Sequence, residues 1–398
     1  MVRSILAADW LGFISFRLKR IAVRKVYICM LLPFFMVEKA EGGLVILNNI
    51  ENENENDLRG VKFKFSETNE KAYLRAGYRI VGEHKHSGVE ICHWTKSRLR
   101  GKKNCYKAAY GIKSHRCVQM TPTLDFCNLS CSHCWRTFGE DRAKGQTLWD
   151  DPKTIVDEAI EAQQKLLSGF GGNKNTTAEM FRQSMEPVHF AISLDGEPTL
   201  YPDIAGLVKE IRGRGATAFL VTNGTMPHKL REMLDKGAIP NNLYTSVYGA
   251  SEDVFNKATN AKIPGLYERV MESLMLFPGF NKKGCRTIFR ITAVKGTTLQ
   301  DAEGYARLVR MSEPMFIEVK GYSFVGDSRM RLTEENVPTM KEIEDFGNQL
   351  IKHTGYILKY SDDDSRVVIL VRDEDSWQRN LEMIKEQDRV VKATMVDE

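Results

Sequence analysis

The sequence predicts an α/β fold built as a partial, open barrel of six strands, followed by a C-terminal α+β addition. Two observations carry this prediction. Strand-like and helix-like segments alternate regularly between about residues 117 and 320, which is the pattern of βα units around a parallel sheet. Six strands are too few to close the usual eight-stranded barrel, so the sheet is expected to stay open.

The helix after the first strand shows how each element is assigned. Asp151 offers an N-cap, Pro152 suits a first helical turn, and apolar residues then recur with helical period to Leu167. The same pattern along the chain predicts strands at 117–123, 188–194, 217–222, 242–248, 286–294 and 315–320. It predicts helices at 152–167, 176–184, 203–213, 227–236, 264–276 and 299–311. The C-terminal addition is predicted as a helix, hairpin-like strands and a helix, at 338–353, 356–370 and 375–387.

Four segments divide the chain in this prediction. A polar run from Asn48 to Asp57 cannot bury apolar surface and indicates a flexible linker. The part before it is expected to be an extension that is flexible or lies upstream of the true start, with Met36 as the alternative first residue. The predicted boundaries are 1–59 for the extension, 60–116 for a basic segment, 117–325 for the barrel and 326–398 for the C-terminal addition.

Composition and charge exclude several classes of protein. A hydrophobic content of 42% supports a large core and is unlike a fibre or a disordered chain. The net charge of +5 permits an anionic partner such as RNA without requiring one. The apolar run at 26–36 contains a proline and is too short to span a bilayer, so no membrane attachment is expected.

The eight cysteines are too sparse for a disulfide scaffold. Six of them lie between residues 92 and 134, and such clustering favours metal ligation in a reducing cytoplasm. Cys127, Cys131 and Cys134 are spaced C-x3-C-x2-C on one predicted loop. Because thiolates are the soft ligands of iron–sulfur clusters, this loop can bind three corners of an iron–sulfur cube and leave one iron open. A zinc site or a group of buried thiols is the alternative.

Active sites of βα sheets lie at the carboxyl ends of the strands. The cysteine loop follows the first predicted strand. Polar or glycine-containing stretches follow three others, at Asp195–Leu200, Thr222–Thr225 and Val319–Tyr322. We therefore expect these four segments to surround one site.

The C-x3-C-x2-C loop, the aromatic Trp135 after it and the βα repeat together resemble the radical S-adenosylmethionine superfamily. The resemblance implies that Cys127, Cys131 and Cys134 ligate a [4Fe-4S] cluster whose open iron chelates S-adenosyl-L-methionine. One-electron reduction would then cleave this cofactor and release a 5′-deoxyadenosyl radical. The expected fold is thus a partial barrel of the radical-SAM type.

The same resemblance suggests where the cofactor binds. Gly196 and Glu197 match the position where the superfamily holds the methionine ammonium group, although Asp195 stands where the usual motif has its first glycine. A carboxylate suits a cation, and Gly196 is expected to let the ligand approach closely. The other residues expected at the cofactor are Thr222 and Asn223 near the ribose, and Ser246 and Tyr248 at the next strand end.

A second group of cysteines narrows the family. Cys92, Cys105 and Cys117 lie in the stretches Ile91–Lys96, Asn104–Lys107 and Ser114–Pro122. These stretches, with Cys134–Arg136, Ser193–Pro202 and Phe316–Gly321, closely resemble the 4-demethylwyosine synthases of tRNA wybutosine biosynthesis over roughly residues 72–370. The resemblance implies that the second cysteine group binds an auxiliary [4Fe-4S] cluster, again with an open iron. Ordinary core cysteines are the alternative.

The resemblance also implies a specific reaction. The enzyme would be a lyase that joins two carbons of pyruvate to N1-methylguanosine at position 37 of tRNA(Phe), giving 4-demethylwyosine. The deoxyadenosyl radical would take a hydrogen from the N1-methyl group, the carbon radical would add to pyruvate, and the pyruvate carboxyl carbon would leave. The auxiliary cluster would position or activate the pyruvate.

Eukaryotic members of this family carry a flavodoxin-like domain that supplies electrons. No phosphate-binding loop precedes residue 60 here, so the resemblance is to the shorter archaeal type. That type implies an external electron donor, and the protein is expected to be a cytoplasmic monomer.

Pyruvate can also be held as a Schiff base by a lysine whose amine is kept neutral. Lys320 is the first candidate because it ends a predicted inner strand and should point into the barrel mouth. Lys174, in a glycine-rich loop, is the second. The sequence alone leaves the choice open.

The tRNA must present its modified base outside the anticodon stack. Basic residues between positions 96 and 116 are interleaved with Trp94, Tyr106 and Tyr110, a composition that suits phosphates and stacked bases. Arg329 and Arg331 are further candidates for phosphate contacts. A solvated helical face is the alternative for the basic segment.

Two other functions stay open at this point. A different radical enzyme with an auxiliary cluster would act on a protein or a small molecule. A zinc-containing RNA-binding protein would have no catalytic activity at all. The metal content of the purified protein distinguishes the zinc-containing RNA-binding protein from both kinds of radical enzyme.

Overall fold

The computed structural model describes residues 38–40, 43–45, 67–136 and 148–393. The chain divides into two units, Met1–Gly60 and Val61–Glu398. In the first unit, strand β1 (Glu38–Ala40) pairs antiparallel with β2 (Gly43–Val45). The apolar run at 26–36 and the polar run at 48–57 lie outside the described residues, so the expected N-terminal extension stays a prediction.

The second unit is organised around one ten-stranded sheet. Six parallel strands form its centre and neighbour one another in chain order: β5 (Cys117–Thr121), β6 (His189–Ile192), β7 (Thr217–Thr222), β8 (Asn242–Val247), β9 (Arg286–Ala293) and β10 (Phe316–Gly321). Strands β11 and β3 are the two edges of this sheet, so the described strands do not close into a ring. The predicted open, six-stranded parallel barrel is therefore confirmed.

Both flanking segments extend this sheet with antiparallel strands. On one side β4 (Ser87–Glu90) pairs with β5, and β3 (Arg79–Val81) pairs with β4. On the other side β12 (Val367–Val371) pairs with β10, and β11 (Ile357–Asp362) pairs with β12. The strands β3 and β4 are short and were not predicted. Residues 61–398 form one unit, and the predicted boundaries at 116 and 325 stay an interpretation of the sequence.

Twelve helices are described in the second unit. Their bounds are α1 (Glu67–Ala76), α2 (His93–Leu99), α3 (Pro152–Leu167), α4 (Ala178–Ser184), α5 (Ile204–Gly213), α6 (Pro227–Asp235), α7 (Glu252–Thr259), α8 (Leu266–Leu274), α9 (Phe277–Lys282), α10 (Ala302–Ser312), α11 (Met340–Thr354) and α12 (Glu374–Ala393). The predicted cap of α3 is confirmed, because the Asp151 side chain accepts hydrogen bonds from the backbone N–H groups of Lys153 and Thr154. The helices α1, α2, α7 and α9 were not predicted. None of the described helices is long and apolar enough to cross a membrane.

Side chains alternate between the two faces of the sheet, as the strand period requires. One face packs against the surrounding helices and includes Val118, Met120, Phe190, Leu220 and Phe289. The opposite, inner face includes Cys117, Phe219, Tyr244, Ile288 and Phe316. This division places one cysteine of the second group inside the barrel, beneath the strand ends that carry the cysteine loop.

A short 3₁₀ helix, Tyr106–Tyr110, packs on the inner face. Tyr106 and Tyr110 are buried there, so the expectation that these two rings stack on exposed bases is wrong. Arg116 is buried as well, and its guanidinium donates to the backbone carbonyl of Glu186. The side chain of Arg116 is therefore unavailable to RNA phosphates.

Helix α12 covers this 3₁₀ helix. Asn380 and Gln387 of α12 donate to the backbone carbonyls of Ala109 and Tyr110. Arg286, at the start of β9, is fully buried, and its guanidinium donates to the side-chain oxygens of Asn380 and Gln387 at 2.6 Å each. The C-terminal helix thus closes the barrel on the side opposite the cysteine loop.

Candidate active site inside the barrel

The cysteine loop between β5 and α3 is fixed by hydrogen bonds from three directions. The backbone N–H groups of Ser130 and Ser132 donate to carbonyls at the end of α7 at 2.9 Å each. Asn128 donates to the Thr225 hydroxyl at 2.8 Å, beyond the end of β7. On the outer side, the Arg331 guanidinium donates to the carbonyls of Ser132, Cys134 and Arg136. Arg331, expected at tRNA phosphates, is thus bonded to the loop backbone.

The three thiols of this loop share one electrostatic environment. Burial and then the charges of Cys127 and Cys134 raise the pKa of the Cys131 thiol well above its ordinary value. Burial also raises the pKa of Cys127. The three residues line one cavity of about 350 Å³ together with the ends of β6, β7 and β8. Cysteines grouped in this way suit a metal centre, because bound metal replaces the protons that burial retains.

Gly196 is required for the packing of two loops. Its φ is +72°, and a Cβ atom there would lie 1.8 Å from the carbonyl oxygen of Thr123 and 2.6 Å from that of Phe126. The next N–H, of Glu197, donates to the Phe126 carbonyl at 2.6 Å. Sequence reasoning predicted that Gly196 admits a ligand. The structure shows that Gly196 lets the backbone leading into Cys127 pass close by and that it also lines the cavity, so its contact with the cofactor stays a prediction.

Glu197 joins the ends of two strands. Its carboxylate is fully buried, and Oε1 accepts hydrogen bonds from the hydroxyls of Thr199 and Thr222 at 2.6 Å each. Oε2 accepts from the Asn223 N–H at 2.7 Å. Burial raises the pKa of Glu197, while these donors lower it, and the net direction is upward. The carboxylate that was expected at the methionine ammonium group therefore already organises the strand ends beside the cavity.

The side chain of Asn223 connects the end of β7 to the cysteine loop. Its amide donates to Asn128 Oδ1 at 2.9 Å and to Cys127 Sγ at 3.8 Å. Its Oδ1 accepts from the N–H and hydroxyl of Thr225. Thr222 and Asn223 line the cavity, and both are bonded to other residues of the site. Their contact with the ribose stays a prediction.

Asp195 stands where the superfamily motif has its first glycine, and the contacts of its side chain explain the difference. The Asp195 side chain is fully buried and forms an ion pair of 3.0 Å with Arg136 of the cysteine loop. The Tyr73 hydroxyl of α1 donates to the same carboxylate at 3.0 Å. Arg136 Nε also lies 3.3 Å from Cys134 Sγ. Asp195 therefore holds a cation beside the cysteine loop.

Ser246 and Tyr248 lie together on the cavity wall, as predicted. The Tyr248 ring lies 4.9 Å from the ring of His133. Burial, and then the charge of Arg331, lowers the pKa of His133 to about 4, so this ring is neutral near pH 7. His133 sits between two cysteines of the loop, and its role was not predicted.

The second group of cysteines also comes together. Burial and then the charge of Cys92 raise the pKa of Cys105 to about 12. The same two causes raise the pKa of Cys117, with Cys105 and Lys107 acting on it as well. The backbone N–H of Lys107 donates to Cys105 Sγ at 3.5 Å. The thiols of Cys92, Cys105 and Cys117 thus interact electrostatically, and Cys105 and Cys117 pack on the inner face of the sheet.

The lysines are placed differently from one another. Lys320 is half-buried at the end of β10, and burial followed by the charge of Arg290 lowers its pKa to about 8. Lys107 lines the same cavity as the cysteine loop, with its amine 4.9 Å from the centre of the Tyr244 ring. Lys174 is exposed on the loop before α4. Neither Lys174 nor Lys320 is among the residues lining the cavity, whereas Lys107, which was not predicted, is one of them. The assignment of the Schiff base to Lys320 or Lys174 stays a prediction.

A single shared metal ion is not supported by the described residues. Among them, no three histidine, cysteine or acidic side chains are close enough to hold one ion. The ligands of an iron–sulfur cluster each bind a different iron and stand further apart, so the two cysteine groups remain compatible with clusters.

Two family models match this chain. Residues 121–309 match the Radical SAM superfamily, and residues 311–372 match a model described as wyosine base formation. The first match covers the cysteine loop and the four parallel strands β6 to β9. The second begins before β10 and includes the antiparallel strands β11 and β12.

Solved structures with the same fold include TYW1 with a lysine–pyruvate adduct bound, which is 29% identical with a TM-score of 0.69. The alignment covers 78% of this chain and 97% of that one. An archaeal TYW1 crystal structure is 26% identical with a TM-score of 0.63, over 78% of this chain and 98% of that one.

The sequence relatives point the same way. The tRNA 4-demethylwyosine synthase of Arabidopsis thaliana is 35% identical over 78% of this chain and 48% of its own length. The corresponding enzyme of Pyrococcus abyssi is 44% identical over 307 residues, which are 76% of this chain and 88% of that enzyme. On this identity and coverage, the chain belongs to the S-adenosyl-L-methionine-dependent tRNA 4-demethylwyosine synthases.

Proposed function

We propose that this protein is a lyase that converts N1-methylguanosine at position 37 of tRNA(Phe) into 4-demethylwyosine, with pyruvate as the two-carbon donor. One observation carries the proposal. A cavity of about 350 Å³ is lined at one end by Cys127, Cys131 and Cys134, and it also reaches Tyr106 and Lys107, which follow Cys105 directly. The first cysteine group thus opens into a chamber that also reaches the residues next to Cys105. A reaction between a methyl group and a second bound substrate requires such proximity.

Family membership brings S-adenosyl-L-methionine and one [4Fe-4S] cluster. We assign this cluster to Cys127, Cys131 and Cys134, which would leave one iron for the cofactor. When bound, the cluster supplies the electron that cleaves S-adenosyl-L-methionine to a carbon radical. We assign a second [4Fe-4S] cluster to Cys92, Cys105 and Cys117, and the support is their mutual effect on one another's pKa values and their burial beside the cavity.

The protein residues around the cavity have distinct tasks in this proposal. Glu197, Thr222 and Asn223 hold the ends of β6 and β7 against the cysteine loop. The neutral His133 ring and Tyr248 form an aromatic wall for the cofactor. Because these groups are buried and mutually bonded, they exclude water from the place where the radical forms.

Lys320 is our first choice for a Schiff base with pyruvate. A neutral amine is needed for attack on the ketone, and the lowered pKa of Lys320 provides one at moderately alkaline pH. The related structure with a lysine–pyruvate adduct supports covalent capture of pyruvate by a lysine in this family. Lys107 is the second choice, because its side chain lines the cavity.

The remaining partners are proposed from chemistry. The tRNA would dock over the cavity mouth with its modified base splayed out, and exposed cations such as Lys102 and Arg329 would meet its phosphates. An external electron donor would reduce the cluster. We further propose that the enzyme acts in the cytoplasm as a monomer.

The test is anaerobic incubation of the reconstituted protein with dithionite, S-adenosyl-L-methionine, pyruvate and tRNA containing N1-methylguanosine at position 37. Mass spectrometry of the digested tRNA should show the tricyclic nucleoside. Formation of 5′-deoxyadenosine without the tricyclic nucleoside would favour a radical enzyme with another substrate. Zinc without iron in the anaerobically purified protein would contradict both enzyme readings.

The second cluster has a matched control within the chain. Cys117 and Cys285 are both buried cysteines at the start of central strands, but Cys285 belongs to neither group. Replacing Cys117 with alanine should remove about half of the bound iron and keep cleavage of S-adenosyl-L-methionine. Cys285→Ala should keep all of the iron. Equal iron content in the two variants would contradict the second cluster.

A further inference from the structure

The proposed reaction gives no task to one arginine inside the barrel. Arg290 lies on β9, directly opposite Glu318 of β10 and Ser246 of β8 in the sheet register. Its side chain lines the cavity that also contains the cysteine loop, Tyr106 and Lys107. A positive charge is thus built into the chamber that contains the cysteine loop.

The guanidinium is held along one edge only. Arg290 Nη1 donates to the Tyr106 hydroxyl at 2.9 Å and to Glu318 Oε1. The Tyr106 hydroxyl donates to the same carboxylate oxygen at 3.1 Å. The Glu318 side chain is fully buried, whereas that of Arg290 is 18% exposed. The carboxylate and the tyrosine therefore fix the orientation of the guanidinium.

The other edge of the guanidinium faces the cavity with its donors unused. Among the described residues, Nε and Nη2 of Arg290 have no hydrogen-bond partner, and neither is a fully buried atom. The Nε and Nη2 donors of an arginine match the two oxygens of a carboxylate. A fixed guanidinium with this edge free is a preorganised carboxylate site.

Two neighbours indicate which carboxylate fits. Lys320 lies opposite Thr292, two residues along β9 from Arg290, so the side chains of Lys320 and Arg290 share one face of neighbouring strands. The Arg290 charge accordingly helps to lower the pKa of Lys320. Tyr106, which orients Arg290, follows Cys105 in the chain. A 2-oxo acid has its ketone next to its carboxylate, so one end can contact Arg290 while the ketone carbon lies near Lys320 and the second cysteine group. This arrangement does not suit an isolated phosphate.

We propose that Arg290 binds the carboxylate of the 2-oxo acid substrate, and that Glu318 and Tyr106 position it for this purpose. The inference rests on the proposed function, because it takes a 2-oxo acid as the second substrate. It assigns Arg290 as a binding residue, with Glu318 and Tyr106 as positioning residues.

The test is direct binding of radiolabelled pyruvate to the full-length reconstituted protein, compared with hydroxyacetone, which keeps the ketone and lacks the carboxylate. In Arg290→Gln the dissociation constant for pyruvate should rise by about 30-fold or more, as expected for a lost charged, bidentate contact. The weak binding of hydroxyacetone should be unchanged. Arg290→Lys should recover part of the pyruvate affinity.

Affinity for S-adenosyl-L-methionine is the decisive second measurement. It should change by less than about threefold in Arg290→Gln, because a 30-fold loss is expected only for the ligand that the guanidinium binds. Loss of cofactor affinity with unchanged pyruvate affinity would overturn the proposal and assign Arg290 to the methionine carboxylate. An equal loss of affinity for pyruvate and for hydroxyacetone would also overturn the proposal, because the substitution would then not act through the carboxylate.

Glu318 without its arginine would be a buried, uncompensated charge, and Arg290→Gln can fail to fold for that reason. The double variant Arg290→Gln/Glu318→Gln removes both charges and should show the same selective loss of pyruvate. Binding needs neither tRNA nor turnover. A missing tricyclic nucleoside with Arg290-dependent pyruvate binding would therefore defeat the proposed function alone, whereas no pyruvate binding by the unmodified protein would defeat this inference.

Discussion

Single residues of the candidate site are explained by partners far away in the chain. Asp195 departs from the glycine of the superfamily motif, and its carboxylate neutralises Arg136 beside Cys134. Gly196 accommodates the carbonyl of Thr123. Asp195 and Gly196 thus hold the cysteine loop, and both also line the cavity.

The lowered pKa of Lys320 predicts the pH dependence of Schiff-base formation. An unperturbed lysine amine has a pKa of 10.5, whereas that of Lys320 is about 8. The neutral amine attacks the ketone, so the rate of borohydride-trapped pyruvate adduct should rise from about pH 7 and level off above about pH 9. The measurement is mass spectrometry of the trapped protein across this range.

Variants identify the lysine that reports this profile. Lys320→Ala should abolish the adduct, and Lys174→Ala, on the exposed loop, should leave it unchanged. An adduct that survives in Lys320→Ala and disappears in Lys107→Ala would show that the assignment to Lys320 is wrong.

Gly196→Ala should disrupt the site through the backbone. A residue with a Cβ is strained at a φ of +72°, and this Cβ would collide with two carbonyl oxygens. We expect the free energy of unfolding to fall by on the order of 3 kcal/mol and binding of S-adenosyl-L-methionine to be lost. Denaturant unfolding and calorimetric titration measure the two effects.

The control for this substitution is Gly172→Ala. Gly172 is exposed, and a Cβ there would meet no atom within 4 Å. This variant should change stability by less than about 1 kcal/mol and bind the cofactor normally. If both alanine variants behave alike, the close approach of the two loops is unimportant.

At the scale of elements, different helices stabilise the two cysteine groups from opposite sides. Helix α7 and Arg331 hold the backbone of the cysteine loop at the carboxyl ends of the strands. Helix α12 covers the 3₁₀ helix that starts next to Cys105. The C-terminal helix therefore supports the second cysteine group without contributing a thiol.

Arg286→Ala tests the attachment of α12. The fully buried guanidinium bonds Asn380 and Gln387, and its removal leaves both amides and a cavity behind. The free energy of unfolding should fall by about 3–5 kcal/mol. Iron bound by the second group should become more labile toward chelators than iron bound by the first.

Arg389 provides the matched control on the same helix. Its side chain is 78% exposed and pairs with Glu386 at 3.3 Å. Because exposed ion pairs contribute little, Arg389→Ala should change stability by less than about 1 kcal/mol. A similar loss in the two variants would mean that α12 is weakened by any arginine removal.

At the scale of the molecule, one continuous sheet carries both cysteine groups. The first lies on the loop after β5, and the second includes Cys117, the first residue of that strand. A strand of five residues thus connects the two groups, with Gln119 of the same strand lining the cavity between them. Exposed cations such as Lys102 and Arg329 lie outside this buried region.

The affinity for tRNA should fall with salt, because cation–phosphate contacts release counterions. Arg329→Glu should weaken binding of the modified tRNA several-fold and lower the slope of log affinity against log salt by about 1. Filter binding at several salt concentrations measures both. Lys341 has an exposed side chain on α11, so Lys341→Glu is the control, and its affinity for tRNA should match that of the unmodified protein. Salt-independent binding would contradict the proposed surface.

The amino-acid sequence by itself determined the six parallel strands, their helices and the two cysteine groups. These features depend on local periodicity and on spacing within short loops, so they can be read from neighbouring residues. Even so, the short edge strands β3 and β4 escaped prediction, because three or four residues carry too little periodicity.

Only the tertiary structure decided which polar groups meet inside the barrel. Arg290 and Tyr106 are 184 positions apart, and nothing in either local sequence indicates that they bond. The exposure of Lys174, the burial of Tyr110 and the use of Arg331 to hold the cysteine loop were likewise set by packing. The physical reason is that desolvation and hydrogen-bond satisfaction depend on what the folded chain brings together, not on residue type or spacing.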